Sequence, residues 1–266
     1  MAGVTPELHD AVERAYRVFP AQRLVPPIGV CKCSCCVSDE NERLMAATPR
    51  RQLALFLIRE FTNSAHGRDD HLLRHFLPRM FELTAEGANV CSLDDTLGFK
   101  GLGLGTARVP HANYRVNWSP AEIATIDAFY LALFRRALAA RPARFLFGDG
   151  TRGLDEVDIG WTLETIAVGG GDVARLLAVW DGDTSRLASL QLADFVSSLT
   201  VNIWAHGNAS RVFSQFSDHA PEAEHLVADW LKRPEHGARF DGAMLDEPDA
   251  KAFDLLSRAR HWATGR

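Results

Sequence analysis

The sequence predicts an all-α protein, built as an array of packed antiparallel amphipathic helices. Several segments begin with a capping residue followed by proline or by an acidic residue, and apolar residues recur within them at helical spacing. No alternating run of apolar and polar residues is long enough to indicate a sheet. Short connections between the segments favour antiparallel neighbours.

The strongest helix start is Ser119–Glu122, which combines a capping box with proline at the first helical position. Thr5 and Pro6 open the first helix in a similar way, and Asp39 with Glu42 forms a second capping box. Together with the apolar periodicity, these signals predict helices at approximately residues 5–19, 39–47, 49–61, 70–81, 119–140, 154–168, 172–181, 185–205, 209–217, 221–233 and 249–263.

The predicted helix near residue 70 starts at Asp69 or Asp70 and carries a continuous apolar stripe from Leu72 to Phe81. Pro78 lies inside this stripe and should kink the helix. Four residues fall off the stripe, a position typical of a solvated face: His71, His75, Arg79 and Glu82.

The chain's cysteines are the least expected feature of the sequence, because four of the five lie within Cys31–Cys36. Cys33 and Cys36 form a C-x-x-C pair, which lets two thiolates converge on one tetrahedral zinc. No second pair follows, so further ligands would come from Cys31 or from His66, His71 or His75. The predicted zinc ligands are therefore Cys31, Cys33, Cys35, Cys36, His71 and His75.

Two other interpretations of the cysteine segment stay open. The C-x-x-C pair precedes a predicted helix N-terminus, which lowers a thiol pKa and suits redox chemistry, although the βαβ frame of a thioredoxin-like site is missing. The thiols can also pack as small apolar groups without metal. For His75 and Arg79, a structural role also competes with metal binding, since both side chains could hydrogen-bond carbonyls of the cysteine loop and hold this irregular segment.

Three other segments have plain structural interpretations. A Gly-rich loop near 98–105 has neither a preceding strand nor a following capped helix, so nucleotide binding is not favoured. Asp181–Thr184 resembles the aspartate motif of haloacid-dehalogenase-type phosphotransferases only faintly, and a turn between helices explains it. Asp155, Glu156 and Asp158 suit the positive end of a helix dipole.

Length and charge narrow the class of protein. The 266 residues fit a single helical domain over 1–266, with a subdivision into 1–117 and 118–266 as the alternative. The net charge is −5, with acidic and basic residues interleaved, which argues against nucleic acid and anionic membranes as partners. The N-terminus has neither the basic nor the apolar region of a signal peptide, so we expect a cytoplasmic protein.

Four short blocks of the sequence carry a resemblance: Cys33–Ser38, His75–Arg79 with Glu82 and Leu83, Trp118–Glu122, and Leu192–Val196. Together they resemble a family of uncharacterised bacterial proteins. The resemblance implies a bacterial source, and the family has no activity that could be transferred.

Two functional hypotheses follow from the sequence. The first is a non-enzymatic helical protein-interaction module, such as a toxin-neutralising immunity protein or a scaffold, with a cysteine-rich loop that binds zinc. The alternative is a metal-dependent or thiol-dependent enzyme centred on Cys31–Cys36 with His71 and His75. No complete catalytic constellation is recognisable, so catalytic residues stay unassigned and whether the protein is an enzyme remains open.

Overall fold

The computed structural model describes residues 4–32, 37–64, 70–90, 114–142, 156–206 and 220–264, without the side chains of 70, 156 and 199–206. Over these residues it confirms the all-α prediction. The helices are α1 Pro6–Val18, α2 Asp39–Ala47, α3 Leu55–Ser64, α4 Asp70–Ala85, α5 Tyr114–Asn117, α6 Pro120–Leu138, α7 Ile159–Val168, α8 Val173–Gly182, α9 Arg186–His206, α10 Pro221–Leu231, α11 Glu235–Leu245 and α12 Ala250–Thr264. A 3₁₀ turn spans Arg50–Gln52. A two-residue parallel pairing joins β1 Arg141–Pro142 to β2 Glu156–Val157.

The capping signals explain why several helices begin where they do. The Thr5 hydroxyl accepts from the Leu8 N–H, and Pro6 takes the first position of α1. Ser119 and Glu122 form the predicted reciprocal capping box, with the Ser119 N–H donating to the Glu122 carboxylate at 2.8 Å. These local patterns need no tertiary context, and both predictions are confirmed.

The helix predicted over 39–47 is confirmed as α2, but Ser38, rather than Asp39, caps it, because the Ser38 hydroxyl accepts from the Asn41 N–H. Two other predicted starts are wrong by a few residues. The helix predicted over 49–61 breaks after the 3₁₀ turn and resumes at Leu55. The helix predicted from 154 begins at Ile159, because residues 156–157 join the strand pair and the Asp158 carboxylate accepts from Trp161 N–H.

Helix α11 was not predicted. Its two glycines, Gly237 and Gly242, weaken the helical signal. Packing against α12 stabilises α11 despite its weak helix propensity. Gly237 suits this close contact, because a Cβ at this position would lie 3.2 Å from Thr264 Cγ2. The Gly-rich loop near 98–105 and the helix predicted at 209–217 lie outside the described residues.

The described chain divides into two compact units. The N-terminal unit comprises residues to Leu133 together with Thr165–Gly171, and the C-terminal unit comprises Phe134–Glu164 and the chain from Asp172 onward. The division falls inside α6 and α7, whereas the sequence suggested 117/118. The single-domain prediction and its alternative stay predictions.

The core of the N-terminal unit forms where α1 and α3 pack on α4. Aromatic side chains fill it, with Phe81 stacked on Phe129 and Phe61 against Phe76. The turn after α7 belongs to this unit, because the hydroxyls of Tyr130 and Tyr114 donate to the carbonyls of Gly169 and Gly170.

The core of the C-terminal unit centres on two tryptophans. Trp180 and Trp230 are almost completely buried, with ring centroids 5.1 Å apart. Phe134 and Phe195 contact Trp180. Gln191 is buried below the strand pair, where its amide donates to the carbonyls of Ala137 and Ala140. Among the described helices, none has the length and apolar character required to cross a membrane.

Candidate functional site

The cysteine segment of the predicted zinc site is only partly within the described residues. Cys33, Cys35, Cys36 and His66 lie outside them. Cys31 is described, and its side chain is half-buried. Its carbonyl accepts from the Val37 N–H at 3.2 Å, which brings the two ends of this segment together.

The two predicted histidine ligands both contact Gln22. The Gln22 backbone N–H donates to His75 Nδ1 at 3.0 Å, and the Gln22 side-chain nitrogen lies 3.0 Å from His71 Nδ1. A nitrogen that accepts a hydrogen bond carries no proton, so the neutral His75 ring has its hydrogen on Nε2. Burial, together with the nearby Arg50 and His71, lowers the pKa of His75 to about 4.

His75 does not lie on a solvated face, and that prediction is wrong. Only 5% of the residue is exposed, because the segment that follows α1 covers this side of α4. Arg79 is also largely covered and donates to the Leu53 carbonyl at 2.9 Å. Both side chains hydrogen-bond irregular backbone, but at Gln22 and Leu53, whereas the structural interpretation of this pair expected carbonyls of the cysteine loop.

Glu42 is an anchoring residue whose role the sequence did not reveal. It is buried, and its Oε1 accepts from the Ile28 N–H at 2.7 Å, while its Oε2 pairs with Lys32 Nζ at 2.7 Å. The capping-box prediction for Glu42 is therefore wrong. The only available signal was an acidic residue within a helix that follows an irregular segment.

Over the described residues, no group of three or more histidine, cysteine, aspartate or glutamate side chains could hold a metal ion. Three of the proposed sulfur ligands lie outside this part of the chain, so zinc binding stays a prediction. Within it, His71 and His75 use their Nδ1 atoms on Gln22.

The C-terminal unit contains a cleft of about 900 Å³ that the sequence did not predict. Its walls come from the end of α8, the start of α9, the α10–α11 turn and one face of α11. Small residues on α11 and Pro234 form an apolar part of the wall: Ala238, Gly242 and Ala243. The volume lies within the range of small-molecule sites.

Three arginines line this cleft and differ in what they bind. Arg239 is deeply placed and donates to Ser189 Oγ and to the carbonyls of Trp180 and Asp183, so it caps the end of α8. Burial lowers the Arg239 pKa. Arg186 forms a bidentate ion pair with Glu247 through Nε and NH2.

Arg233, the third arginine, pairs with Asp181 through NH1 at 2.9 Å. Asp181 also accepts from Trp230 Nε1 at 2.8 Å. Asp181 therefore has a structural role that agrees with the turn interpretation of residues 181–184. Within the described chain, Nε and NH2 of Arg233 and NH1 of Arg186 have no hydrogen-bond acceptor.

His236 lies in the wall of the same cleft and is 4% exposed. Its Nε2 lies 2.9 Å from the Trp230 carbonyl, which can only accept, so Nε2 carries the hydrogen and Nδ1 keeps its lone pair. Burial lowers the His236 pKa despite the bond to that carbonyl and the nearby Asp181. Among the described residues, none donates a hydrogen bond to Nδ1.

A separate apolar surface lies on α11 and α12. Leu245 is 84% exposed and Phe253 is 46% exposed. Asp241 on α11 pairs with Arg260 on α12 at 2.7 Å. Leu245 is four residues from Asp241 and Phe253 is seven from Arg260, so each shares a helix face with one member of the ion pair. Leu245 and Phe253 therefore both lie on the side of the ion pair that is nearer to the turn between the two helices, and we call these four residues the α11–α12 surface.

The described residues form an all-α protein with a cleft that combines arginine side chains with an apolar wall, and with two exposed apolar side chains on α11 and α12. Comparison with models of known protein families gives no match to the chain. Neither a curated protein nor a solved structure matches it either. The functional argument therefore rests on the chemistry of the residues.

Proposed function

We propose that the protein is a non-enzymatic helical protein-interaction module that binds its partner through the α11–α12 surface. The supporting observation is that Leu245 is 84% exposed and Phe253 is 46% exposed on two helices that pack against each other. Single exposed apolar residues are ordinary, but large side chains grouped on rigid helices are typical anchors of protein interfaces. The Asp241–Arg260 pair on the same two helices resembles the polar rim of such interfaces.

The hydrogen bonding of the histidines and Asp181 favours this proposal over an enzymatic one. His71 and His75 contact Gln22, and Asp181 holds Trp230 and Arg233. Side chains whose sequence patterns suggested metal binding or catalysis thus form hydrogen bonds that stabilise the fold. A toxin-neutralising immunity protein or a scaffold in the bacterial cytoplasm is the kind of protein that we propose, and the partner is another protein.

The test identifies a partner and then measures direct binding. Candidates are captured from a lysate of the source organism, and the affinity of each purified candidate is measured by titration calorimetry. We expect Leu245→Glu/Phe253→Glu to weaken binding at least about tenfold, because two apolar anchors are lost. Val116→Glu is the matched control, since Val116 is 75% exposed in the N-terminal unit. Equal affinity of the double variant and wild type would contradict the proposal.

The alternative is an enzyme centred on Cys31–Cys36 with His71 and His75. One observation favours it: the bond between the Cys31 carbonyl and the Val37 N–H brings together the ends of the segment that carries the thiols. Elemental analysis of protein purified without added metal, compared with a Cys33→Ser/Cys36→Ser variant, tests this alternative. A stoichiometric metal that the double variant loses would favour it.

A further inference from the structure

We propose that the cleft of the C-terminal unit is a binding site for a small organic acid that also carries an N–H or O–H donor and an apolar body. The site is distinct from the α11–α12 surface and does not depend on the proposed partner. Three features of the cleft support this inference: an acceptor in its wall that has no donor among the described residues, guanidinium N–H groups that have no acceptor among them, and an apolar wall on α11.

The unused acceptor is His236 Nδ1. The residue is only 4% exposed, and its Nε2–H donates to the Trp230 carbonyl. The Nδ1 lone pair therefore stays available as an acceptor at the wall of the cleft. Because His236 lines the cleft, a ligand N–H or O–H can donate to this atom.

The unused donors belong to Arg233 and Arg186. Arg233 gives only NH1 to Asp181, and its side chain is 53% exposed. Arg186 gives Nε and NH2 to Glu247, and its side chain is 50% exposed. The remaining N–H groups of a guanidinium bind a carboxylate well, because planar donors match the two oxygens. Arg233 and His236 are three residues apart and line the same cleft, so one ligand can contact both.

The remaining lining residues indicate the kind of ligand. Pro234, Ala238 and Ala243 offer apolar contact to a hydrocarbon body. Glu235 and Asp246, both exposed in the same lining, disfavour a multiply charged anion such as a phosphate. A singly charged carboxylate with a neighbouring hydroxyl or amino group fits this combination.

The probes are α-hydroxy and α-amino acids of graded size, from lactate and alanine to phenyllactate and phenylalanine. Each is compared with the acid that lacks the donor, for example phenylpropionate, and with its methyl ester, which lacks the carboxylate. Tryptophan fluorescence of the full chain reports binding, because Trp230 lies 4.6 Å from the His236 ring, centroid to centroid. We expect at least one donor-bearing acid to bind at least about tenfold more tightly than both of its analogues.

Two variants assign the contacts. His236→Gln keeps a donor near the Nε2 position for the Trp230 carbonyl and removes the Nδ1 acceptor, and Arg233→Gln removes the guanidinium. Each should weaken binding of the preferred acid about tenfold. Lys232→Gln is the matched control, because Lys232 is an exposed cation next in sequence that pairs with Asp229 outside the cleft lining.

Thermal unfolding of each variant shows whether it is still folded. If His236→Gln unfolds, Arg233→Gln still tests the inference, because it changes an exposed side chain. The inference is wrong if no acid in the panel binds below about 10 mM, a limit weaker than ordinary small-molecule affinities. It is also wrong if acid, ester and donor-free analogue bind equally, or if Arg233→Gln binds like wild type. A cleft variant that binds the acid weakly and still binds a protein partner leaves the proposed function intact.

Discussion

The backbone N–H of Gln22 donates to the Nδ1 atom of His75, which lies 53 residues later in the chain, at 3.0 Å. This bond fixes the beginning of the irregular segment between α1 and α2 on helix α4. Glu42 fixes a later point of the segment by accepting from Ile28. Two buried side chains thus replace the hydrogen bonds that a helix or strand would give this backbone.

Removing the His75 acceptor should destabilise the protein. We expect His75→Ala to lower the free energy of unfolding by about 1–3 kcal/mol, because the Gln22 N–H loses its partner in a covered position. His75→Asn is the matched control, since its side-chain oxygen can occupy the Nδ1 position and accept the same bond. Urea unfolding measures both variants. Equal loss in both would mean that the hydrogen bond contributes little.

The same histidine should make stability depend on pH. Its pKa is about 4 in the folded protein and near 6.5 in the unfolded chain, so the unfolded state takes up a proton first as pH falls. The contribution is fully present above pH 6.5 and is lost progressively between pH 6.5 and 4. Since a shift of one unit corresponds to about 1.4 kcal/mol, the wild type should lose about 1–3 kcal/mol more than His75→Asn over this range. Parallel curves for the two proteins would refute the prediction.

Glu42 should stabilise the protein through Ile28 more than through Lys32. We expect Glu42→Ala to cost about 1–3 kcal/mol in urea unfolding, because a buried N–H loses its acceptor. Glu42→Gln keeps an oxygen acceptor and should cost less than half of that. Asp39→Ala, which removes the other, exposed partner of Lys32, should change stability little. A larger loss for Asp39→Ala than for Glu42→Ala would reverse this ranking.

Gly171 should not tolerate a side chain. A Cβ at this position would overlap Ile166 Cγ2 and lie 3.0 Å from the Ile166 carbonyl oxygen. We expect Gly171→Ala to destabilise by about 1–3 kcal/mol in thermal or urea unfolding, because backbone must move. Gly242→Ala is the control, since no heavy atom lies within 4 Å of its added Cβ and it sits inside α11. That variant should gain about 0.5–1 kcal/mol.

The zinc content of the protein should depend on the cysteines and not on His75. We expect Cys33→Ser/Cys36→Ser to lose zinc and His75→Asn to keep it, because His75 Nδ1 accepts from Gln22 and Nε2 carries the hydrogen. Elemental analysis of proteins purified without added metal gives the answer. Zinc lost from a folded His75→Asn would place this ring among the ligands, and a wild type without zinc would rule out the zinc prediction for the loop.

Signals that act within one turn of helix could be predicted from the sequence. Ser119 and Glu122 cap α6 because their groups satisfy backbone only three residues away. The burial of His75 could not be predicted in this way, because the covering segment is distant in the chain. Helix α11 was missed for a related reason: Gly237 weakens the local signal but permits the close approach of α12.

The cleft was also beyond sequence analysis. His236, Arg233 and Asp181 carry no recognisable spacing, and only the packing of α8, α10 and α11 brings them together. Whether these residues can bind a ligand depends on which of their polar atoms have no hydrogen-bond partner after folding. In the predicted zinc segment the opposite holds, since its residues are adjacent in sequence and the pattern alone suggested chemistry.

The division into two units has a spectroscopic consequence. Five of the six tryptophans fall in the sequence ranges of the C-terminal unit, and Trp118 falls in the range of the N-terminal unit. In a Trp118→Phe variant, all indole emission would therefore arise from one unit. Its unfolding transition, compared with the loss of far-ultraviolet ellipticity from the whole chain, would show whether the two units melt as one cooperative block or in sequence.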